Sequence, residues 1–381
     1  MPARRHTARR VAAAAALCAA AAAIALLVVS QPPAVASVAV DLYTSGRFTM
    51  KKPEPAFLRT RGDDPGHLSY VVGALKIHPP QRLPVYLVGD SLVRECMTTP
   101  AAMASRLESA SGVATSLYEL GSSNQNFGES LAIVDNLPSG PGLVVVSVDH
   151  ARFAFPPSTV SAQIRGDRLL MPSTTLWRFV LQTRGSAPRN SIGPGVRAYL
   201  ADWRKLNAKA LAAGKRPWHT YQMHRQGGVL SNAAKRERIE RWLDNRGRPG
   251  AEFDTWKAFN GRLLERLVRR AQARGLMVVL MESSQDSAII GSAWDRTTAS
   301  YRAICDQVGT DCGTAFIDPN LTAGLVNADF HDLLHMVTSG QLKWMDALAT
   351  LLTPTVQQLA GGASPTSQPL PVGQDLVQSS P

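Results

Sequence analysis

The segment Pro84–Leu92 reads PVYLVGDSL. Its first five residues form a short run rich in β-forming side chains, which is typical of a buried strand. Gly89, Asp90 and Ser91 are small or polar, and the amphipathic stretch 94–109 after them predicts a helix. A tight strand-to-helix turn places the Ser91 hydroxyl at the edge of a sheet. The plainer alternative is that Ser91 only caps the helix, as serine often does.

The same pattern recurs along the chain. Further short apolar runs, each ending in small polar residues, occur at 113–120, 143–148, 276–281 and 314–317. Amphipathic stretches at 127–137, 252–274, 294–308 and 339–352 follow them and predict helices. Strands that alternate with helices predict an α/β fold with a five-stranded, mainly parallel sheet. Functional side chains in such folds gather at the carboxyl ends of the strands.

A second motif follows the fifth predicted strand, where the chain reads Asp332-Leu333-Leu334-His335. A serine hydroxyl is a weak nucleophile and needs a general base, usually histidine. A histidine base in turn needs an acidic partner that fixes its tautomer. The three-residue spacing lets the Asp332 carboxylate fold back onto the His335 ring. Ser91, Asp332 and His335 are therefore candidates for a catalytic triad.

Two other interpretations of this motif remain open. His335 could be a packing histidine. Alternatively, His331 and His335 are four residues apart and lie among aspartates at 329 and 332, so they could bind a metal ion on a helix. Thr338 and Ser339 resemble a helix start, which places His335 in a loop and disfavours the metal site. We expect no metal and no cofactor.

The Gly89-Asp90-Ser91-Leu92 and Asp332-x-x-His335 motifs together resemble the SGNH, or GDSL-type, hydrolase family. The resemblance covers residues 84–150 and 276–352. It implies a flavodoxin-like three-layer sandwich in which Ser91 is the nucleophile and Asp332 and His335 complete the triad. Members of this family cleave or transfer acyl groups on esters, often of carbohydrates.

The oxyanion-binding blocks of that family are only partly matched. Asn124 stands where the family usually has a glycine, although its backbone N–H and side-chain amide could both donate. Asp149 stands where an asparagine is usual, and its charge would repel a developing oxyanion. His150 could donate instead. The resemblance thus implies an oxyanion hole built from Ser91, Asn124 and His150 beside Asp149.

Further residues near these blocks are candidates for the substrate site. We expect Asp90, Gly121, Gln125 and Arg152 to contact the substrate. The segment Glu282–Asp286 follows the fourth strand and could also line the pocket, but we favour a solvated loop there.

The N-terminus predicts export. Four arginines precede an uncharged apolar run at 11–29, and Ala34-Val35-Ala36 offers a cleavage site. Residues 1–36 are thus either a cleaved signal peptide or a retained membrane anchor. In both cases the remainder would lie outside the cytoplasm. Cys305 and Cys312 flank the turn-like Gly309-Thr310-Asp311. Because such compartments are oxidising, we expect a local disulfide between the two cysteines.

The remaining domain boundaries follow from composition. Residues 37–80 are rich in Pro and Gly without a clear period, which predicts a linker or lead-in. Residues 81–355 form the predicted α/β domain, and the segment 356–381 ends in a Ser-, Pro- and Gln-rich stretch that predicts a disordered tail. The stretch 150–250, between strands three and four, is too long for an ordinary connection and predicts an insertion.

Charge is concentrated in that insertion. The 381-residue chain has 41 Lys and Arg against 29 Asp and Glu, while 178–250 alone has 16 against 4. The rest is therefore neutral. The insertion also contains several Trp, Tyr and His residues, so it could be a cap that binds an anionic polymer or a glycan. The alternative is a solvated basic face that is partly helical, at 233–243. Because the domain is predicted to be exported, nucleic acid is not an expected partner.

Two functions follow from the sequence. The first is an extracytoplasmic serine hydrolase or O-acyltransferase that acts on an acylated cell-envelope or exported glycan, or on a small ester. The second is a non-catalytic, membrane-anchored factor that binds or assembles envelope polysaccharide on the same fold. The intact Ser91, Asp332 and His335 favour the first function, whereas Asp149 favours the second.

Overall fold

A computed structural model describes residues 53–55, 68, 71–73, 75–76, 79–164, 171, 173–184, 218–220, 228–242 and 252–362. Five of its strands form one sheet: β1 Leu83–Gly89, β2 Thr115–Gly121, β3 Gly142–Val148, β4 Leu276–Glu282 and β5 Ala315–Ile317. The α-helices are α1 Ser91–Glu95, α2 Pro100–Ser111, α3 Phe127–Asn136, α4 His150–Phe153, α5 Pro157–Ile164, α6 Thr174–Arg184, α7 Asn232–Trp242, α8 Glu252–Gln272, α9 Ser287–Ile290, α10 Asp295–Cys312 and α11 Thr338–Ala360.

The sheet confirms the predicted α/β class. Its strand order is β2-β1-β3-β4-β5, and every neighbouring pair is parallel. This is the flavodoxin-like order, in which the chain reverses its direction of winding between β1 and β3. In the register, Val88 of β1 lies opposite Leu120 of β2 and Val146 of β3. The carboxyl ends of these three strands therefore meet at the point where such folds bind ligands.

Helices cover both faces of the sheet. Alternate side chains of β1 enter different cores, with Tyr86 and Val88 on one face and Val85 and Leu87 on the other. Side chains of α3, α8 and α10 complete the first core, and side chains of α2 and α11 complete the second. Because both faces are buried, the strands are apolar runs and do not alternate with polar residues. The three layers hold the strand ends in fixed positions.

The lead-in contributes to the core, contrary to the expectation of a linker without a period. Leu68, Val71, Val72 and Leu75 are all buried in the first core. Their spacing of three, four and seven residues is that of one helix face, and the described residues among them are helical. The lead-in also provides Pro53–Pro55, which pairs antiparallel with Trp218–Thr220 of the insertion.

The predicted insertion lies between β3 and β4. Its described residues include the helices α4 to α7, after which α8 returns the chain to the sheet. Helices α5 and α6 pack against α3, whereas α7 packs against α9, the short helix after β4. Helix α7 confirms a predicted helix at 233–243. The insertion is thus anchored to the domain on two sides.

The predicted disulfide is absent. Cys305 and Cys312 are free cysteines, and both lie in α10. Seven residues of α-helix rise about 10.5 Å, whereas bridged cysteines usually have Cα atoms no more than about 7 Å apart. The residues Gly309-Thr310-Asp311 do not form a turn between the cysteines. The helix continues through them and ends at Gly313, which has a φ of 61°.

Two features concern the ends of the chain. Helix α11 continues to Ala360 and buries Val356 and Leu359, so ordered structure extends beyond the predicted boundary at 355. Among the described residues, no helix is long and apolar enough to cross a membrane. The predicted signal or anchor at 1–36 and the last residues of the predicted tail, 363–381, lie outside the described residues.

Candidate active site

Ser91 begins helix α1 directly after β1. The helix is capped by Asp90, whose side chain accepts a hydrogen bond of 2.9 Å from the N–H of Leu92. Ser91 is therefore not the cap, and its hydroxyl is free for another partner. Gly89 is required at this turn because a Cβ atom there would lie 2.5 Å from Cγ2 of Val93 and 2.7 Å from Oγ of Ser147. The close packing fixes the position of Ser91.

Ser91, His335 and Asp332 form a continuous chain of hydrogen bonds. Oγ of Ser91 lies 3.1 Å from Nε2 of His335. Nδ1 of His335 lies 3.0 Å from Oδ1 and 3.1 Å from Oδ2 of Asp332. The three residues are separated by 244 and 3 positions in the chain. The structure thus brings together the three residues that the two motifs predict, with His335 in the middle.

The loop that contains Asp332 holds its carboxylate in place. Oδ1 of Asp332 also accepts the backbone N–H groups of Leu334, at 3.0 Å, and of His335, at 2.9 Å. Helix α11 begins at Thr338, so His335 lies in a loop as predicted. The aspartate therefore orients the ring through a side-chain bond and orders the loop through backbone bonds.

Asp332 and His335 each stabilise the charged form of the other. Burial alone would raise the pKa of Asp332, but the bond and charge of His335 and the two backbone N–H groups hold it well below its usual range. Burial would lower the pKa of His335, but Asp332, with smaller contributions from the charges of Glu95 and Asp90, raises it above its usual value. Asp332 is thus a carboxylate at neutral pH, and the protonated form of His335 is stabilised.

The candidate oxyanion residues follow β2 and β3. Asn124 is the one described non-glycine residue with a positive φ, at 53°. That left-handed conformation explains why a glycine is usual at this position, and asparagine tolerates it better than most residues. The residue lies in a turn in which Ser122 donates its N–H to the carbonyl of Gly89 over 3.1 Å. The turn after β2 is thereby tied to the end of β1.

Asp149 and His150 have different roles in the structure. Asp149 caps α4 through Oδ1, which accepts the N–H groups of Ala151 at 2.7 Å and Arg152 at 3.1 Å. His150 is buried with its ring 4.5 Å from that of Trp294, and burial lowers its pKa to about 4. The ring is therefore neutral at neutral pH and has one N–H to donate.

The four predicted substrate residues, Asp90, Gly121, Gln125 and Arg152, are all buried. Nε of Arg152 donates to the carbonyl of Gln125 over 3.2 Å, and its other nitrogens donate to Ser130 and to the carbonyl of Ser147. These bonds join the segments that follow β2 and β3. Direct contact of the four residues with a substrate stays a prediction.

Asp90 belongs to the Ser91 turn, and Gly121 packs against it. A Cβ atom on Gly121 would lie 2.7 Å from the carbonyl oxygen of Asp90, so a side chain there would push the turn away. Burial and the charge of Asp149 raise the pKa of Asp90 to about 7. Asp90 thus titrates close to neutral pH, directly beside the candidate nucleophile.

The segment Glu282–Asp286 is not the solvated loop that we expected. Glu282 and Asp286 are each about 1% exposed. Glu282 accepts hydrogen bonds from Tyr301 and Arg302, and its burial raises its pKa to about 8. Asp286 pairs with Lys235 of the insertion over 2.8 Å. These polar partners allow the segment to be buried.

The sequence interpretation missed two site neighbours in the insertion. Lys235 and Arg238 of α7 contact the segments after β4 and β5, and Arg238 binds Asp332 directly. Helical spacing puts both on one face, but nothing in the local sequence indicates what that face contacts. Helix α7 of the basic insertion is thus packed against the candidate site.

The metal alternative has no support from the described side chains. They contain no group of three or more His, Cys, Asp or Glu residues that could hold a metal ion. Asp329 instead accepts bonds of 2.7 Å from Ser339 and Lys343, and His331 bonds to the carbonyl of Gly228. His335 is bonded on both ring nitrogens by Ser91 and Asp332.

Comparison with known proteins gives only distant likenesses. No family model and no curated protein matches the chain. An acetylxylan esterase from Geobacillus stearothermophilus is 12% identical with a TM-score of 0.35, covering 70% of this chain and 92% of its own. A carbohydrate acetylesterase from Sinorhizobium meliloti is 10% identical with a TM-score of 0.35, covering 72% and 100%. An alpha/beta hydrolase from the metagenome of Lake Arreo is 11% identical with a TM-score of 0.35, covering 72% and 96%.

Proposed function

We propose that the protein is a serine hydrolase or O-acyltransferase that acts on acyl esters. One observation supports this more than any other, namely the hydrogen-bonded series Ser91–His335–Asp332 at the carboxyl edge of the sheet. A hydrogen-bonded series of this kind lets a neutral histidine remove the hydroxyl proton of a serine as the serine attacks a carbonyl carbon. The site lies at the switch point of the sheet, where folds of this type bind ligands.

The proposed reaction has two stages. Nε2 of His335 takes the hydroxyl proton while Oγ of Ser91 bonds to the ester carbonyl carbon, forming a tetrahedral oxyanion. The C–O bond to the alcohol then breaks, and His335 returns the proton to the departing oxygen. Water, or a second hydroxyl group, attacks the acyl-enzyme by the same route and frees Ser91. Asp332 stabilises the positive imidazolium during both stages.

The proposed oxyanion hole combines backbone and side-chain donors. The N–H of Ser91 lies in the first turn of α1, where N–H groups have no helical partner to accept them. Asn124 adds its backbone N–H or its side-chain amide, and neutral His150 adds a ring N–H. Loss of one such donor typically lowers the rate about 10²- to 10³-fold, so each donor is a testable part of the proposal.

The proposed substrate is an acylated glycan of the cell envelope or an exported glycan, although a small ester would suffice for catalysis. Support comes from the export signal predicted at 1–36 and from the basic insertion with its aromatic residues. Aromatic rings stack on sugars, and guanidinium groups bind carboxylates and phosphates. An anionic envelope polymer is therefore a proposed partner, and a retained anchor would keep the enzyme at the membrane.

A second candidate function is a non-catalytic factor that binds or assembles envelope polysaccharide. Asp149 favours it, because a carboxylate replaces the usual oxyanion donor. The ordered bonds between Ser91 and His335 favour catalysis, because a binding protein does not require them.

Hydrolysis of p-nitrophenyl acetate separates the two functions. We expect the wild-type chain to release p-nitrophenol and Ser91→Ala to lose this activity. Ser109→Ala, which removes an exposed serine of α2, is the matched control and keeps full activity. If wild type, Ser91→Ala and Ser109→Ala are equally inactive on acetyl and longer acyl esters, the binding function is the better account.

A further inference from the structure

Helix α7 lies across the loop that holds Asp332 and His335. Its residues Asn232, Lys235 and Ile239 are three and four positions apart, so they share one face. Nδ2 of Asn327 donates to Oδ1 of Asn232 over 2.6 Å, and Ile239 packs in a small cluster with Leu333. The strand-end segments and the basic insertion are thus joined through a face of α7 that is mostly polar.

Lys235 secures this contact. Its side chain is fully buried, and Nζ donates to Oδ2 of Asp286 over 2.8 Å and to the carbonyl of Asn327 over 3.0 Å. A buried ammonium group needs such partners, because an unpaired charge in the interior is strongly unfavourable. The position of α7 relative to the loop is therefore well defined.

Arg238, one turn further along α7, reaches the triad itself. Its guanidinium nitrogen donates to Oδ2 of Asp332 over 2.5 Å. Oδ1 of the same carboxylate is bound by Nδ1 of His335 and by two backbone N–H groups. Nδ1 of His335 also lies 3.1 Å from Oδ2, so the Asp332 carboxylate is held from the loop by His335 and from the insertion by Arg238.

We propose that Arg238 is a positioning residue for the proposed reaction and that α7 braces the catalytic loop. The inference rests on the proposed function. Arg238 fixes the rotation of the Asp332 carboxylate, which in turn fixes the ring of His335 toward Ser91. Its positive charge also repels the imidazolium form of His335. Arg238 therefore makes His335 less basic than it would be with Asp332 as its only charged partner.

Other charged groups around His335 have the opposite effect. Asp332 in its own loop, Glu95 in α1 and the ionised form of Asp90 at the end of β1 are negative neighbours that favour the imidazolium. Arg94 pairs with Glu95 over 2.6 Å and offsets that charge. Among the residues that the structure describes, Arg238 is the cation bound to Asp332, so its removal leaves the charge of these negative neighbours less offset.

The test compares Arg238→Gln with Arg236→Gln, which removes an exposed arginine of the same helix. With p-nitrophenyl acetate, we expect kcat of Arg238→Gln to fall about 10- to 100-fold because small misplacements of catalytic groups have effects of that size. KM for this small neutral ester stays unchanged. The acidic limb of kcat moves to higher pH, because the base is more readily protonated. Arg236→Gln behaves as wild type.

Arg238→Lys separates charge from geometry. A lysine keeps the charge but not the planar fork of donors, so we expect its acidic limb to coincide with that of wild type while its kcat is reduced. An unchanged kcat and pH profile in Arg238→Gln would overturn the proposal. A rise in KM alone would overturn it too, because Arg238 would then bind substrate and not position the base.

A measurement without turnover distinguishes failure of this inference from failure of the proposed function. Nuclear magnetic resonance of histidine-labelled protein follows the titration of His335, whose signal is identified by its absence in His335→Gln. We expect a higher midpoint in Arg238→Gln than in wild type and Arg236→Gln, whether or not any ester is cleaved. Equal midpoints in all three proteins would show that Arg238 does not act on His335. Circular dichroism and urea unfolding confirm that each variant is folded.

Discussion

The two halves of the candidate site are held by different kinds of interaction. The Ser91 half is local, since Gly89, the Asp90 cap and the start of α1 lie within a few residues of the nucleophile. The Asp332–His335 half is a long loop that depends on distant partners. Lys235 contacts Asp286 across 51 residues, and Arg238 contacts Asp332 across 94.

The difference shows where the site is vulnerable. Close packing around Gly89 leaves the serine turn little conformational freedom. Substitutions there should therefore alter either catalysis or the conformation of that turn alone. The loop half contains two of the proposed catalytic residues and is held in place by the insertion. Substitutions there can therefore affect the stability of the protein, the basicity of His335 or both. Substitutions in each half should therefore have separable effects.

Asp332→Asn is expected to have the largest effect. An asparagine cannot stabilise the imidazolium and favours the wrong tautomer of His335, which lowers kcat about 10⁴-fold in a comparable triad. Hydrolysis of p-nitrophenyl acetate measures the loss. Asp346→Asn removes an exposed carboxylate on α11 and serves as the control. An Asp332→Asn enzyme with a tenth or more of wild-type activity would contradict the triad.

Lys235→Ala is expected to have the next largest effect, and on stability. Removing one partner of a buried ion pair leaves an uncompensated charge and costs about 3–5 kcal/mol in free energy of unfolding. Arg82→Ala breaks an exposed pair with Glu108 and should cost no more than about 1 kcal/mol. Urea unfolding measures both. A loss for Lys235→Ala no larger than that for Arg82→Ala would show that α7 does not brace the loop.

Asn124→Ala tests the local half. The left-handed backbone at this position should make alanine unfavourable by about 1–2 kcal/mol, whereas Asn124→Gly fits that conformation. We expect thermal unfolding to show a lower stability for Asn124→Ala only. If Asn124→Gly and Asn124→Ala lower the stability equally, the left-handed backbone conformation does not explain the preference for asparagine at this position.

The pH dependence is expected to show the smallest effect. The proposed base must be neutral, and the raised pKa of His335 places the midpoint of the acidic limb of kcat/KM above the usual value of about 6.5. Glu95→Gln removes one negative neighbour and should move this midpoint to lower pH. Glu108→Gln, on the surface of α2, should leave it unchanged. A midpoint that rises in Glu95→Gln would contradict the electrostatic account.

The same comparison explains what the sequence could predict. Strand–helix alternation and the motifs around Ser91 and Asp332 are local patterns, and they led to the correct sheet and to three residues that do meet. The contacts of Lys235 and Arg238 could not be predicted, because α7 is a polar helix whose charges resemble a solvated surface. The apolar spacing at Leu68, Val71, Val72 and Leu75 was a local signal of the lead-in helix that the Pro- and Gly-rich composition obscured.

The wrong predictions have physical causes as well. Pairing Cys305 with Cys312 assumed a turn at Gly309, but Gly309 lies within α10, which continues to Cys312 and is capped by Gly313. The loop Glu282–Asp286 was expected to be solvated because it is polar, but Arg302 and Lys235 bind its carboxyl groups and allow burial. The partners that bury this loop, Arg302 and Lys235, lie outside it in the sequence.

The most direct test of the central claim is covalent labelling of Ser91. We predict that a fluorophosphonate adds one label to the wild-type protein and that peptide mass spectrometry locates it on Ser91. His335→Gln should slow the labelling, because Ser91 loses its base, and Ser91→Ala should abolish it. Labelling of another serine, or the same labelling rate in wild type and His335→Gln, would contradict a serine nucleophile activated by His335.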